Sequence, residues 1–318
     1  MLTYFLKRLG LSVVTIFLVA CIVFFMTRIL PGNLAMRYLG KGATPEQIVA
    51  WNSDNGFDRP LLVQFGDWVG TTLQGDLGTS LQYETPVSEI LLPAIGYSAR
   101  LAGLAFLIIV PVGIAGGVYS AMRRATWIDR FITVGGLSAA VIPEFVWAVV
   151  LLLVFGVALP WFPVTAFPDS ESPGFLAGVY HLILPSIALL LVLFGYVARI
   201  TRAGVIEALE SDYVRTAIMK GLTRRRAVTR HVLRNALLPT IAVIASQVPY
   251  LVGGLVSVEI VFAYPGFGSA LLAAVGARDY SMLQSAVMVT SLVIVAFQLA
   301  ADMLFAALNP RIRHKVTA

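Results

Sequence analysis

Charged residues, cysteines and histidines are scarce in this sequence. Charged residues make up 13% of its 318 residues, about half of the usual share in soluble proteins, and hydrophobic residues make up 58%. The single cysteine, Cys21, cannot form an intramolecular disulfide, and one thiol is not a metal site. The histidines His181, His231 and His314 lie far apart in the sequence. We therefore expect a chain that is solvated by membrane lipid and that holds no metal.

The motifs that mark nucleotide hydrolysis and common hydrolase chemistry are also missing. Nothing in the sequence reads G-x-x-x-x-G-K-[ST], H-E-x-x-H or G-x-S-x-G. We therefore expect no catalytic residues and no cofactor in this chain, and we do not expect it to be an enzyme by itself. If it transports a solute against a gradient, the energy must enter through another subunit or through an ion gradient.

The net charge of +6 does not indicate a nucleic-acid-binding protein, because of where the basic residues lie. Seventeen of the 23 lysine and arginine residues fall in four segments that flank apolar runs. The intervening polar segment 31–95 contains more acidic than basic residues. This alternation is the positive-inside pattern of a membrane protein, and no nucleic-acid motif accompanies the charge.

Six apolar runs predict an all-α polytopic membrane protein with six transmembrane helices and both termini in the cytosol. The runs are 9–30, 99–120, 131–159, 181–198, 240–261 and 285–308. We expect an N-terminal transmembrane helix at 1–30, an external segment at 31–95, a five-helix core at 96–308 with a cytosolic loop at 199–239, and a cytosolic tail at 309–318.

Charged residues deep in the bilayer are costly and are often functional, so their depth matters. Counting about 1.5 Å per residue along the predicted helices places Glu259 near the outer interface. Glu144, which follows Pro143, falls near the midplane of the third helix. Two interpretations of Glu144 stay open. It turns into the bundle or an aqueous cavity and is paired or protonated there, or it lines the path of a solute.

The loop at 199–239 is long and basic, and its sequence predicts two helices joined at a glycine. Ser211 or Asp212 can cap a first helix that stops at Gly221, and Thr223 can cap a second helix that runs toward Pro239. Apolar residues also form a stripe on one side of the first helix, which lipid or a groove could cover. The stripe consists of Val214, Ala217 and Ile218.

Four motifs resemble the permeases of ABC transporters, in the form found in the dipeptide/oligopeptide/nickel importer subfamily. The loop SDYVRTAIMKGLTRRRAVTRHVLRNALLP (211–239) resembles the cytosolic EAA loop of these permeases. The others are RILPGNLA (28–35), FDRPLLVQFGDWVGTTLQGDLGTSL (57–81) and VEIVFAYPGFGSALL (258–272), which resembles the E-x-V-F-x-x-P-G-x-G motif. The resemblance covers nearly the whole chain, and the first, B-type permease fits best.

The resemblance implies a type I importer of the prokaryotic plasma (inner) membrane. Its expected partners are a homologous C-type permease, two cytosolic ATPase subunits that bind ATP and Mg²⁺, an external solute-binding protein and membrane lipid. Dipeptides or oligopeptides are the expected solutes, and nickel is less favoured. Alternatives are a secondary transporter that works alone and a membrane anchor or sensor for a cytosolic protein.

The resemblance also assigns residues to two sites. At Arg215 this sequence has arginine where the general family triplet has glutamate, as the peptide-type subfamily does. The residues expected to couple to the ATPase are Asp212, Tyr213, Arg215, Thr216, Ala217, Lys220, Gly221 and Leu222. The residues expected in the translocation path or its gate are Glu144, which is selected by its depth in the bilayer, and the motif residues Glu259, Phe262, Pro265, Gly266 and Gly268.

Overall fold

The structure is a computed structural model that describes residues 2–29, 34–40, 42–168, 174–223, 226 and 232–308. These residues form helices joined by loops. Fourteen α-helices are described: α1 (Leu2–Ile29), α2 (Leu34–Leu39), α3 (Pro45–Asp54), α4 (Leu61–Leu73), α5 (Val87–Met122), α6 (Trp127–Arg130), α7 (Gly136–Val141), α8 (Glu144–Leu151), α9 (Phe175–Leu209), α10 (Asp212–Met219), α11 (Leu233–Ser246), α12 (Val248–Val261), α13 (Phe267–Ala277) and α14 (Tyr280–Leu308).

Four of the described helices are long and apolar enough to cross a membrane, namely α1, α5, α9 and α14. Two bent helix pairs bring the number of possible crossings to six. In the first pair, Trp127–Val141 and Glu144–Ala158 meet at 101°, and π-helical turns at Phe131–Gly135 and Leu152–Ala158 continue its helices. In the second, Ala236–Ser246 and Val248–Val261 meet at 48°. The all-α, multi-span fold is confirmed, while the cytosolic placement of both termini stays a prediction.

The sharp bend of the first pair follows from Pro143. Proline has no backbone N–H, and its ring excludes the helical conformation of the preceding residue. Ile142 accordingly has the extended conformation φ −80°, ψ 126°, and Glu144 starts a new helix. The predicted third helix is thus two shorter helices, and Glu144 lies in the first turn of the second one.

Several helices begin before the apolar runs that predicted them. The second crossing helix begins at Val87 rather than at residue 99, the fourth at Phe175 rather than 181, and the last at Tyr280 rather than 285. The predicted division at 95/96 therefore falls inside α5. Hydropathy marks the part of a helix that lipid must cover, whereas hydrogen bonding continues the helix into more polar sequence.

The described chain divides into two compact units. The first unit consists of Met1–Leu6, Ile95–Ser269 and Ala296–Ala318. The second unit consists of Lys7–Ala94 and Ala270–Val295. The core of the first unit is built around α9, whose buried face includes Leu189, Leu193 and Val197. The second unit has an aromatic cluster in which the rings of Phe24 and Phe65 meet edge to face with their centroids 5.3 Å apart.

Glycines allow α5 and α9 to pack closely in the first unit. A Cβ atom at Gly113 would lie 2.6 Å from the Val197 side chain, and one at Gly117 would lie 2.5 Å from the carbonyl oxygen of Ala198. Close packing at small residues is the usual way in which membrane helices associate. Gly103 is different, because nothing lies within 4 Å of its added Cβ.

Candidate coupling and gating sites

The predicted first helix of the 199–239 loop is present as α10. It begins after Ser211 and is followed by Gly221, whose φ of +92° is in the left-handed region that favours glycine. The backbone N–H groups of Gly221 and Leu222 donate to the carbonyls of Ile218 and Ala217, at 2.9 and 3.2 Å. These bonds satisfy carbonyls at the end of the helix. The hydroxyl of Ser211 instead donates to the Ala208 carbonyl, so no side chain caps the N-terminus of α10.

The apolar stripe predicted on α10 does not form a single open face, which corrects that prediction. Val214 is completely buried in its own chain, whereas Ile218 is exposed and Ala217 is half-buried. The buried neighbours of Val214 come from α5, α9 and α11 and from the residue before α11. They are Ala121, Val205, Ala208, Val232 and Ala236.

Most of the predicted coupling residues are exposed on α10 or directly after it. Tyr213 is 42% exposed and Met219, which the sequence analysis did not select, is 73% exposed. Half-buried positions are Ala217 and Leu222; exposed ones are Asp212, Arg215, Thr216, Lys220 and Gly221. Val214 therefore anchors α10 to the helix bundle, and the other side of the helix is open.

The second predicted helix of the loop lies mainly outside the described residues. Thr223, its expected cap, is described, but 224–225 and 227–231 are not. From Leu233 the chain is helical, and α11 continues through Pro239 rather than ending there. Proline can stay inside a membrane helix where neighbouring groups satisfy the freed carbonyl.

An ion pair with a buried carboxylate joins α6 to α9. The Arg202 guanidinium donates from Nε to Oδ1 of Asp129 at 2.6 Å and from Nη2 to Oδ2 at 2.8 Å. Asp129 is only 4% exposed, and it also accepts hydrogen bonds from the Ser120 hydroxyl at 2.5 Å and from the Ala125 N–H at 2.9 Å. The carboxylate is thereby fully satisfied, as a buried charge requires.

A second ion pair lies nearer to α10 but is exposed. Arg124 Nη1 lies 2.6 Å from Oε1 of Glu210, the residue that follows α9. Both side chains are about two-thirds exposed, so solvent screens the interaction and its contribution to stability is small. The Asp129–Arg202 pair is better shielded from solvent, so it is the stronger of these two ion pairs.

Glu259 lies at the centre of the predicted external motif. It is completely buried, and Oε2 of its carboxylate accepts hydrogen bonds from the N–H groups of Gly268 and Ser269, at 2.8 and 3.2 Å. The Ser98 hydroxyl also donates to this carboxylate, and it accepts a hydrogen bond from the Phe267 N–H at 2.7 Å. Together they satisfy the free N–H groups at the start of α13, where a negative charge is favoured.

The glycines of the motif are explained by the position of this carboxylate. A Cβ at Gly266 would overlap the Glu259 carboxylate, and one at Gly268 would lie 2.6 Å from Cα of Val256. The turn therefore needs glycine at both places so that its backbone can reach the carboxylate. In the motif E-x-V-F-x-x-P-G-x-G, the glutamate therefore accepts hydrogen bonds from the first turn of the helix that follows the motif's turn.

The other residues of this turn hold it to the first unit. Phe262 is completely buried and its carbonyl accepts a hydrogen bond from the Ala166 N–H at 2.8 Å. The Tyr264 hydroxyl donates to the Tyr97 carbonyl at 3.1 Å, and burial raises the pKa of Tyr264 to about 12, so this donor stays protonated. Pro265 is exposed at the tip of the turn.

Glu144 lies apart from the Glu259 turn. It lines a small cavity in the first unit together with residues of α9 and α12. Its Cγ would be 3.5 Å from a Cβ at Gly254, and Tyr250 also lines the cavity. Within the described part of the chain its carboxylate forms neither an ion pair nor a hydrogen bond. The structure thus gives Glu144 no partner, and the alternative of a role in the solute path stays a prediction.

Comparison with known proteins decides between the classes of membrane protein considered above. Residues 113–314 match the family described as the binding-protein-dependent transport system inner membrane component, and residues 1–106 match the N-terminal part of such membrane components. The chain belongs to this family. The inner-membrane location and the role of a permease subunit in binding-protein-dependent transport are thereby confirmed.

Individual relatives match this permease over nearly its whole length. A Brucella abortus protein named as a candidate peptide transport system permease is 35% identical over 310 residues, which cover 97% of this chain and 98% of the relative. The di/tripeptide transport system permease protein of Pseudomonas aeruginosa is 34% identical, over 99% of this chain and the whole relative. The dipeptide transport system permease protein of Escherichia coli is 32% identical with the same coverage.

Two features of the permease were missed by sequence reasoning. Asp129 was not selected, although Thr126–Asp129 fits the [ST]-x-x-[DE] pattern of a helix start, and Thr126 accepts the Asp129 N–H at 3.4 Å. Its partner Arg202 is distant in sequence, and no local pattern connects the two. Ser98 was missed for the same reason, because its link to Glu259 exists only in the folded chain.

Proposed function

We propose that this permease forms half of the translocation pathway of an ATP-driven importer for dipeptides or oligopeptides. The other half is a homologous C-type permease, an external binding protein delivers the solute, and two cytosolic ATPase subunits hold ATP and Mg²⁺. This chain itself hydrolyses no nucleotide. Relatives named for dipeptide, di/tripeptide and peptide transport support the choice of solute over nickel.

The observation that carries the coupling part of the proposal is the two-sided character of α10. Val214 is buried and fixes the helix to the bundle, whereas Tyr213, Ile218 and Met219 are exposed to solvent. A short helix with exposed apolar side chains fits a groove on another protein, because burying such side chains drives association. A movement of that partner would then be transmitted to α9 and α5.

For the solute path we propose separate roles for the two acidic residues. Glu144 lines a small cavity and has no hydrogen-bond or ion-pair partner among the described residues. In this proposal it interacts with the ammonium group of a passing peptide. The carboxylate of Glu259 accepts hydrogen bonds from Ser98 and from the N–H groups of Gly268 and Ser269. In this proposal its role is to shape the 264–268 turn at the external mouth. Phe262, Pro265, Gly266 and Gly268 complete the same turn.

The proposal can be tested in proteoliposomes that contain the assembled importer and its binding protein. We expect uptake of labelled alanyl-phenylalanine to require ATP in the compartment that the ATPase subunits face. Proton or sodium gradients should not change the uptake. Uptake by this chain alone under an ion gradient would show a secondary transporter instead. If nickel stimulated the ATPase activity and the dipeptide did not, the transported solute would be nickel and not a peptide.

The coupling helix is tested in the same preparation with Ala217→Trp. A bulky side chain on the half-buried edge of α10 should lower solute-stimulated ATPase activity and uptake at least about tenfold, since it blocks close approach of the partner. Thr71→Trp, on the exposed external helix α4, is the matched control and should leave ATPase activity unchanged. Unaltered stimulated ATPase activity in Ala217→Trp would contradict the coupling proposal.

A further inference from the structure

A separate cavity lies in the second unit, and neither the coupling helix nor the turn at Glu259 uses it. Its volume is about 470 Å³, within the range of sites that hold small molecules. Side chains of α1, of α3 and the loop after it, of the 79–84 loop and of the start of α14 line it. Polar and apolar groups share its wall.

Arg28 is the cationic residue of this cavity. Its guanidinium lies 4.4 Å from the ring centroid of Phe57 and 5.1 Å from that of Phe24. The Nε atom is buried and has no hydrogen-bond partner, and Arg28 forms no ion pair with any residue that the structure describes. The Arg28 side chain as a whole is half-buried, and a guanidinium without an ion-pair partner among the described residues is suited to an incoming anionic oxygen.

Glu84 is the acidic residue of the same cavity, and it is not paired with Arg28. Its backbone has φ +54°, which is unusual for a residue other than glycine. The turn is fixed by the Glu84 N–H, which donates to the Ser80 carbonyl at 3.0 Å, and by the Ser80 hydroxyl, which donates to Asp279 at 2.5 Å. One cationic and one acidic residue therefore line the same cavity.

The remaining wall of the cavity supplies apolar and neutral polar surface. Trp51 and Phe57 stack with their centroids 5.2 Å apart and their planes inclined by 8°. Tyr280 and the hydroxyl group of Ser281 also line the cavity. An anion site, a cation site and an aromatic surface within one cavity are complementary to a small zwitterion that carries an apolar side chain.

We propose that this cavity binds a short peptide with free termini on the external side of the permease. The α-carboxylate of the peptide pairs with Arg28, its ammonium group pairs with Glu84, and an apolar side chain packs on Trp51 and Phe57. The proposal rests on the proposed function only for the choice of a peptide as the zwitterion. Such a site would hold solute outside the helix bundle before it reaches the translocation path.

The test uses the full-length chain in nanodiscs of phosphatidylcholine and three probes titrated by calorimetry. The probes are alanyl-phenylalanine, its C-terminal amide and its N-acetyl derivative. We expect each blocked peptide to bind at least about tenfold more weakly than the free one, because it loses one charge-assisted interaction. Arg28→Gln should remove only the preference for the free dipeptide over its C-terminal amide. Glu84→Gln should remove only the preference for the free dipeptide over its N-acetyl derivative.

The controls separate binding at this cavity from a folding defect or from lipid binding. Arg28→Lys keeps the charge and should keep part of the preference for a free carboxylate. Arg59→Gln removes an exposed arginine of the same unit, paired with Asp67 at 3.3 Å, and should leave the pattern unchanged. Equal affinity for the three probes, or loss of dipeptide binding when phosphatidylethanolamine is added, would overturn the proposal.

The outcome for this cavity and the outcome for the proposed function can be told apart. If the assembled importer takes up alanyl-phenylalanine with ATP but Arg28→Gln keeps the full preference for a free carboxylate, the cavity proposal is wrong and the proposed function stands. If the preference depends on Arg28 and Glu84 but no ATP-driven peptide uptake occurs, the site stands and the proposed function is wrong.

Discussion

Arg202 of α9 and Asp129 of α6 form a bidentate ion pair with two parallel hydrogen bonds. Because Asp129 also accepts hydrogen bonds from the Ser120 hydroxyl and from the Ala125 N–H, one carboxylate joins α5, the turn after it and α9. Asp129 belongs to the broken helix pair Trp127–Val141 and Glu144–Ala158, so the ion pair connects that pair to α9.

Removing one partner of this pair should weaken the fold. Arg202→Ala leaves the Asp129 carboxylate buried without its cation, and we expect a loss of about 2 kcal/mol in the free energy of unfolding. That is less than the roughly 3–5 kcal/mol of a fully buried pair, because the Arg202 side chain is 27% exposed. Thermal unfolding in detergent, followed by tryptophan fluorescence, measures the change.

The exposed pair provides the comparison for this experiment. Arg124→Ala breaks only the Arg124–Glu210 interaction and should cost less than about 1 kcal/mol. Arg202→Lys retains a positive charge but only one of the two parallel hydrogen bonds, so its effect should fall between the two. Equal losses in Arg202→Ala and Arg124→Ala would show that burial of the first pair does not matter.

Alanine at Gly268 should disrupt the turn that Glu259 organises. The new Cβ would lie 2.6 Å from Cα of Val256, which is backbone and cannot rotate away. We expect a loss of stability of about 2 kcal/mol, typical of overpacking, together with reduced uptake by the assembled importer. Melting temperature and initial uptake rate are the measurements.

Gly276 is the matched glycine for this substitution, since it lies in the same helix, α13, with nothing within 4 Å of an added Cβ. Gly276→Ala should be neutral or slightly stabilising because alanine favours helix. If both substitutions change stability equally, the close approach of the turn to Val256 is not the reason for glycine at position 268.

Hydropathy and charge were sufficient to predict the apolar crossings, and cap residues with Gly221 predicted α10, but neither predicted the surroundings of single acidic residues. Counting along a helix gave the depth of Glu259, yet depth does not show that its carboxylate turns toward backbone N–H groups of the next helix. Asp129 and Arg202 were hidden for a similar reason, since both lie among other charged residues near a predicted membrane boundary. Contacts between distant segments decide such pairings, and a single sequence carries no record of them.

Glu144→Gln should affect transport more than stability. The Glu144 carboxylate makes no hydrogen bond within the described chain, so replacing it with an uncharged group of equal size should leave the melting temperature nearly unchanged. If it contacts the ammonium group of the solute, the apparent affinity for alanyl-phenylalanine should fall about tenfold. Uptake rates over a range of dipeptide concentrations give this value.

An acidic residue outside the cavity serves as control for Glu144. Glu207 is exposed on α9, and Glu207→Gln should change neither affinity nor stability. A large loss of stability in Glu144→Gln with normal affinity for the dipeptide would support the alternative in which Glu144 has a structural role in the bundle.

The two sides of α10 should respond differently to truncation. Val214→Ala removes methyl groups from a fully buried site and should lower the free energy of unfolding by about 1–3 kcal/mol in the isolated permease. Met219→Ala should leave that free energy unchanged, because Met219 is 73% exposed, but should reduce solute-stimulated ATPase activity in the assembled importer. Unfolding of the isolated chain and ATPase assays of the complex distinguish an anchor within the chain from a surface that a partner covers. If Met219→Ala left ATPase activity intact while Arg215→Ala abolished it, charge rather than apolar contact would hold α10 to its partner.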